Sequence, residues 1–170
     1  MSEDKPQDAI ALLKADHRKV EDLFEQFEKA SGDGRKRKLA GEICMELTIH
    51  SIIEEEIFYP ACMGQVDEAD LKEAYVEHDG AKVLIAEIEA GGPDEDFYDA
   101  KVKVLSEMIE HHVEEEEKRG EGIFAQAKKA ELDMTTIGQE LAARKKALMA
   151  KYKASGTPKP ETTTFTEVTV

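Results

Sequence analysis

A chain of 170 residues, 41% apolar and 36% charged, is long enough for one well-buried core and too short for two comfortable domains. Its formal net charge of −15 argues against nucleic acid or an anionic membrane surface as the main partner, because a polyanion is repelled by most of such a surface. No apolar run approaches the roughly 18 residues of a spanning helix, and "MSEDKPQDAI" lacks the basic start and apolar stretch of a signal peptide, so a cytoplasmic protein is expected.

Turn signals fall at "SGDG" (31–34), around Gly64 and Asp67, at "GGPDED" (91–96), "RGEG" (119–122) and "LDMTT" (132–136). The segments between them repeat apolar residues every three or four positions, and no alternating β-branched run reads as a strand. The expected fold is all-α: an antiparallel up-down-up-down four-helix bundle over residues 1–130, an additional C-terminal helix within 131–153, and a flexible tail over 154–170. That tail, rich in Thr and Pro, has the composition of a segment that is disordered or bound to something else, and its "TTTFTEVTV" end (162–170) has strand propensity.

In the first helix Ile10, Leu13, His17, Val20, Phe24 and Phe27 form one apolar stripe with a histidine in its middle. The second reads Leu39, Ile43, Leu47, His50, Glu54, Ile57; the third Leu71, Tyr75, His78, Ala81, Ile85, Ile88; the fourth Val102, Leu105, Ile109, His112, Glu116. Every bundle helix therefore puts a histidine in its core stripe. With alternate helices antiparallel, the late His/Glu pairs of helices two and four meet the histidines of one and three at a common depth.

One buried histidine is usually a satisfied core residue. Four histidines and two carboxylates at one level are different, because an ionised carboxylate taken out of water without a partner costs several kcal/mol. A metal centre removes that cost by making the same groups ligands. Residues i and i+4 stack on one helix face, so His50 with Glu54 and His112 with Glu116 can each offer a nitrogen and an oxygen to one pair of metals. Imidazole and carboxylate without thiolate suit iron, manganese or zinc.

Other features have plainer readings. Cys44 and Cys62 lie 18 residues apart on one helix, about 27 Å along its axis, too far to pair. "RKRK" (35–38) reads as a solvated face. Residues 128–153 carry seven bases against three acids, so the C-terminal helix, with Arg144, Lys145 and Lys146, suits docking on the acidic body or self-association.

The stretches "LLKADHRKV" (12–20), "HSIIEEEIFYP" (50–60), "YVEHDGAKVL" (75–84) and "HHVEEEEKRGEGIF" (111–124) together resemble the hemerythrin-like, or HHE cation-binding, domain of bacteria over about residues 8–130. The resemblance implies a four-helix bundle holding two non-haem irons with an oxo or hydroxo bridge, with zinc or manganese as lesser alternatives. It implies His17, His50, His78 and His112 as terminal ligands, Glu54 and Glu116 as bridges, and O2, NO or H2O2 as the small-molecule ligand. One departure stands out: respiratory members carry a second histidine one turn from the third-helix histidine, whereas the positions around His78 are Ala74 and Lys82. Water, Tyr75, Tyr59 or Glu117 would then fill the place. His112 with Glu116 is preferred over His111 with Glu115, because it continues the Val102–Leu105–Ile109 stripe. Two functions follow: binding of a small ligand for sensing, storage or delivery, or catalase-like, peroxidatic or Fe2+-oxidising chemistry.

Overall fold

The computed structural model describes residues 8–166. Four long helices make the bundle: α1 (Ala9–Lys29), α2 (Asp33–Ile53), α4 (Glu68–Ala90) and α5 (Tyr98–Glu117). Short turns join them, and α1 packs on α2, α4 on α5, α2 on α4 and α1 on α5. Side chains at the turns start the helices: Asp8 accepts a hydrogen bond from the Ala11 amide and Asp67 one from the Asp70 amide, at 2.7 and 3.1 Å.

The second bundle helix does not end at Ile53. It continues through a π-helical turn (Glu54–Phe58) into the short α3 (Tyr59–Cys62), and the Tyr59 amide bonds to the Glu54 carbonyl five residues back. The wide turn shifts the register of everything after it. Ile57, expected in the core stripe, is only half-buried, while Phe58 and Tyr59 are fully buried.

Beyond the bundle, α6 (Ile123–Lys129) was not distinguished in the sequence because it is barely two turns long. The additional helix, α7 (Met134–Ser155), opens on Asp133, whose carboxylate accepts from the Thr136 amide at 3.0 Å. It docks along α1, α2 and the π turn. Arg144 pairs with Glu56 at 2.8 Å and Lys145 with Asp16, so the basic segment lies against the acidic body.

The tail forms neither helix nor strand from Gly156 to Thr166, yet it is fastened to the bundle. Three successive amides, those of Thr163, Thr164 and Phe165, donate to Asp79 at 2.8, 2.5 and 3.1 Å. These contacts reach as far as Phe165, and the strand-prone end beyond Thr166 lies outside the described residues.

The apolar interior falls into two clusters. One gathers Ile10, Leu13, Ile53, Phe58, Tyr59 and Phe124 with α7; the other gathers Val20, Phe24, Ile43, Leu47, Ile85 and Leu105. The histidines lie at the level between the two. Cys44 and Cys62 are buried free thiols, each pushed up to about 12 by burial. Among the described residues no helix is long and apolar enough to cross a membrane.

Candidate metal centre

His17 on α1, His50 on α2, His78 on α4 and His112 on α5 are all buried, as are Glu54 at the start of the π turn and Glu116 near the end of α5. Donor atoms of Glu54, His78, His112 and Glu116 lie within 4.8 Å of one another. His50 joins them through Glu54, its Nε2 standing 2.8 Å from Glu54 Oε1, and His17 joins through His50, their Nε2 atoms 3.2 Å apart. The Nε2 atoms of His78 and His112 face each other at the same 3.2 Å, and His112 Nε2 touches Glu116 Oε1.

Every Nε2 points inward because every Nδ1 faces a carboxylate outside. His17 Nδ1 donates to Glu117 at 2.8 Å, His50 Nδ1 to Asp16 at 3.0 Å, and His112 Nδ1 to Glu77 at 2.9 Å. His78 Nδ1 stands 3.4 Å from Glu55 Oε2, a charge contact without hydrogen-bond alignment. An ionised carboxylate only accepts, so each bonded Nδ1 carries the proton and Nε2 is aimed at the centre. Carboxylate–imidazole pairs of this kind orient and strengthen metal ligands.

Inside, hydrogen bonding is incomplete. Both oxygens of Glu54 and the Oε2 of Glu116 are buried with no hydrogen-bond partner among the described residues. Such orphans are rare, since each carries the full desolvation cost of the group. Without metal, protons partly compensate. Burial pulls the His50 pKa down, but Glu54 and Asp16 outweigh it and push it up to about 10. His112 is likewise raised, burial being outweighed by Glu116 and Glu77, while burial raises Glu54 less than His50 and His78 lower it. An imidazolium at His50 can donate from Nε2 to His17, and one at His112 to His78, so each facing pair shares a proton where a cation would sit. Orphaned carboxylate oxygens beside inward imidazole nitrogens fit a pair of cations.

Tyr59 brings one more oxygen. Its hydroxyl donates to Glu116 Oε1 at 3.1 Å and lies 3.2 Å from His78 Nε2. Burial, with Glu116 and Glu54 nearby, holds its pKa well above the usual phenol value, so the metal-free protein keeps the proton.

Beside the histidines lies a cavity of about 20 Å³, walled also by Val20, Leu47, Ala81 and Val113. It has room for about one water-sized molecule. Val113 and Ile109 separate it from a surface groove of about 640 Å³ between α1 and α5.

Residues 8–119 match the hemerythrin HHE cation binding domain family. The chain belongs to that family. A hemerythrin HHE cation binding domain-containing protein from Mycobacterium kansasii has the same fold: TM-score 0.71, 22% identity, covering 89% of this chain and 95% of that one. A DNA nickase from Nostoc sp. is 30% identical over 106 residues, which are 62% of this chain; the chain spans only 30% of that protein's length.

This HHE domain brings together all six side chains expected from the sequence. Of the substitutes for the missing histidine, Tyr59 alone is placed inside. Tyr75 stacks edge-on against the Tyr59 ring at 5.2 Å, and Glu117 sits outside, holding His17. Lys82, one turn after His78, is buried and turns its ammonium to Glu55 at 2.9 Å, and Ala74, one turn before, is buried with no donor to offer. His111 is exposed, near Glu77 and Glu115 at 3.5 and 3.6 Å.

Asp16, Glu55 and Glu77, the outer carboxylates, were missed. Each stands next to a histidine or glutamate of the centre, or one residue before a helix turn of it, and in a chain with 38 acids nothing marks them out. Phe124 of α6, stacked on His17 with ring centres 5.8 Å apart, was missed for want of the helix that carries it.

Proposed function

We propose that this HHE domain holds two non-haem iron ions between His17, His50, Glu54, His78, His112 and Glu116, and that the centre binds O2 or a related small ligand for sensing, storage or delivery. The observation that carries this reading is the opposed hydrogen bonding of the four imidazoles. Three are tied by Nδ1 to outer carboxylates, the four Nε2 atoms face one another in two pairs, and those of His50 and His78 stand 2.8 and 3.4 Å from the buried, unpartnered Glu54 Oε1. Iron held there would supply reversible redox chemistry and an open position for a small ligand.

The chain's own part is to orient, neutralise and exclude. Outer carboxylates fix the rings, Glu54 and Glu116 balance the cation charge, and the apolar clusters above and below keep bulk water away. A cavity of about 20 Å³, room for about one water-sized molecule, suits a small ligand over a larger substrate.

A second reading, turnover of H2O2, is favoured by the Tyr59 hydroxyl, a proton donor within the centre itself. The nickase activity named for the Nostoc relative is not part of either reading, since the chain spans 30% of that protein and its charge of −15 repels DNA.

Metal content per chain on protein from iron-replete cells, with the visible spectrum before and after peroxide, tests both. Close to two irons with near-ultraviolet oxo-bridge bands is the expected result. Reversible oxygenation then supports the carrier, and sustained O2 release from H2O2 supports the enzyme. Zinc alone, or no metal, overturns the iron reading.

A further inference from the structure

We infer that the C-terminal segment Thr163–Phe165 is a clamp that positions Glu55 behind the His78 ring, making the tail a working part of the metal centre. The inference rests on reading His78 as a ligand.

Asp79, the residue after His78, is completely buried, and the tail supplies most of its hydrogen bonds. Three consecutive amides and the Thr164 hydroxyl, the latter at 2.6 Å, converge on its two oxygens. Successive amides closing on one carboxylate form an anion nest, a geometry that a loosely draped chain does not adopt. The charge on Asp79 thus fixes the tail's position to within a hydrogen bond.

From that anchor the tail reaches the centre in two contacts. Thr163 Oγ1 donates to Glu55 Oε1 at 2.8 Å, and Glu55 Oε2 faces His78 Nδ1 at 3.4 Å. Lys82 completes the arrangement, bonding Glu55 at 2.9 Å and standing 3.4 Å from both Asp79 Oδ1 and Thr163 Oγ1. Lys82, one turn after His78, is therefore spent on holding the tail and Glu55 together.

The comparison among the four rings makes the clamp's role specific. Asp16, Glu77 and Glu117 approach their histidines to 3.0 Å or less without help from residues beyond 156. Among the described residues, Glu55 is the one outer carboxylate held by the tail, and His78 is the one of the four rings whose Nδ1 lacks an aligned acceptor. His78 is the ligand whose orientation depends on a segment that bonds its neighbour Asp79 from 84 residues further along the chain.

The test uses the full chain. Thr163→Val removes only the hydroxyl on Glu55, Thr163→Ser keeps it, and Asp79→Asn loosens the whole nest. Loss of anaerobically loaded Fe2+ to a chromogenic chelator should be about tenfold faster in Thr163→Val, at the low end for outer ligand partners. It should be at least as fast in Asp79→Asn and near normal in Thr163→Ser. Nitrogen-15 signals of the His78 ring in the metal-free protein should move in Thr163→Val and return in Thr163→Ser. Those ring signals decide the clamp even if the protein takes up no iron, which would overturn the di-iron reading alone. Unchanged ring signals in both Thr163→Val and Asp79→Asn would overturn the clamp, as would tail amides that exchange freely in the unaltered protein.

Discussion

Tyr59 donates a hydrogen bond to Glu116 from the opposite side of the bundle, 57 residues away in the chain, at 3.1 Å. The contact ties α3 to α5 at the level of the centre. Tyr59→Phe should leave metal content unchanged and cost about 1 kcal/mol in the metal-free protein, the net worth of a buried hydrogen bond. It should also shift the visible spectrum of the iron-loaded form. Denaturant unfolding, metal analysis and absorption check the three outcomes, and an unchanged spectrum would place Tyr59 outside the chemistry.

Glu54→Ala and His112→Ala should each lower bound metal to one ion per chain or less. In the metal-free bundle each change leaves the facing ionised group buried without its partner, at a cost of about 3–5 kcal/mol. Normal metal content in both variants would refute the ligand assignment.

Metal loading should expel protons. Since the His50 pKa stands at about 10 and that of His112 is also raised, both rings are protonated at neutral pH in the metal-free form. Apparent metal affinity should rise with pH, and an unbuffered indicator should record about two protons released per filled centre. The stability sign follows the same shifts. A raised histidine pKa stabilises the metal-free fold fully below its unfolded value near 6.5, and that contribution vanishes as pH climbs through about 10. Metal-free protein should therefore lose stability on the alkaline side. Metal-loaded protein should not.

Val113, in the wall between the outer groove and the inner cavity, is placed to meter small ligands. Val113→Ala should speed azide or NO binding to the iron-loaded protein at a cost of about 2 kcal/mol in stability. Val113→Phe should slow it with metal content preserved. Stopped-flow absorption reads both.

Gly122 is needed for space. A Cβ there would come 2.6 Å from the Glu115 carbonyl oxygen and closer still to that of Glu116. Gly122→Ala should push the end of α5 outward and destabilise the protein by about 1–3 kcal/mol, as overpacking does. Metal retention should fall with it, because Glu116 moves with its backbone.

What the sequence revealed was whatever repeats with the α-helical period. The stripes through His17, His50, His78 and His112 identified the bundle and the six inward side chains, and stripe continuity chose His112 over His111, which the structure leaves exposed. Features outside that period stayed hidden. Ile57 was placed in the core in place of Phe58, because a π turn leaves no signature in apolar spacing. The tail lacks periodicity altogether, and its order comes from one distant carboxylate, Asp79, rather than from any pattern of its own.

The turn at Glu54–Phe58 also separates two inheritances in the same helix. A helix is a ruler graduated in fours: counting from His50 it reaches Glu54, and counting on it would pass over Tyr59. One wider graduation brings Tyr59 back to the face that Glu54 occupies. Removing a single residue from within 55–58 would restore the regular ruler and leave the tyrosine on that face, whereas a regular helix of unchanged length would present Phe58 there instead. The wide turn thus decides whether a phenol or a plain phenyl ring faces Glu54, without moving any residue that precedes it.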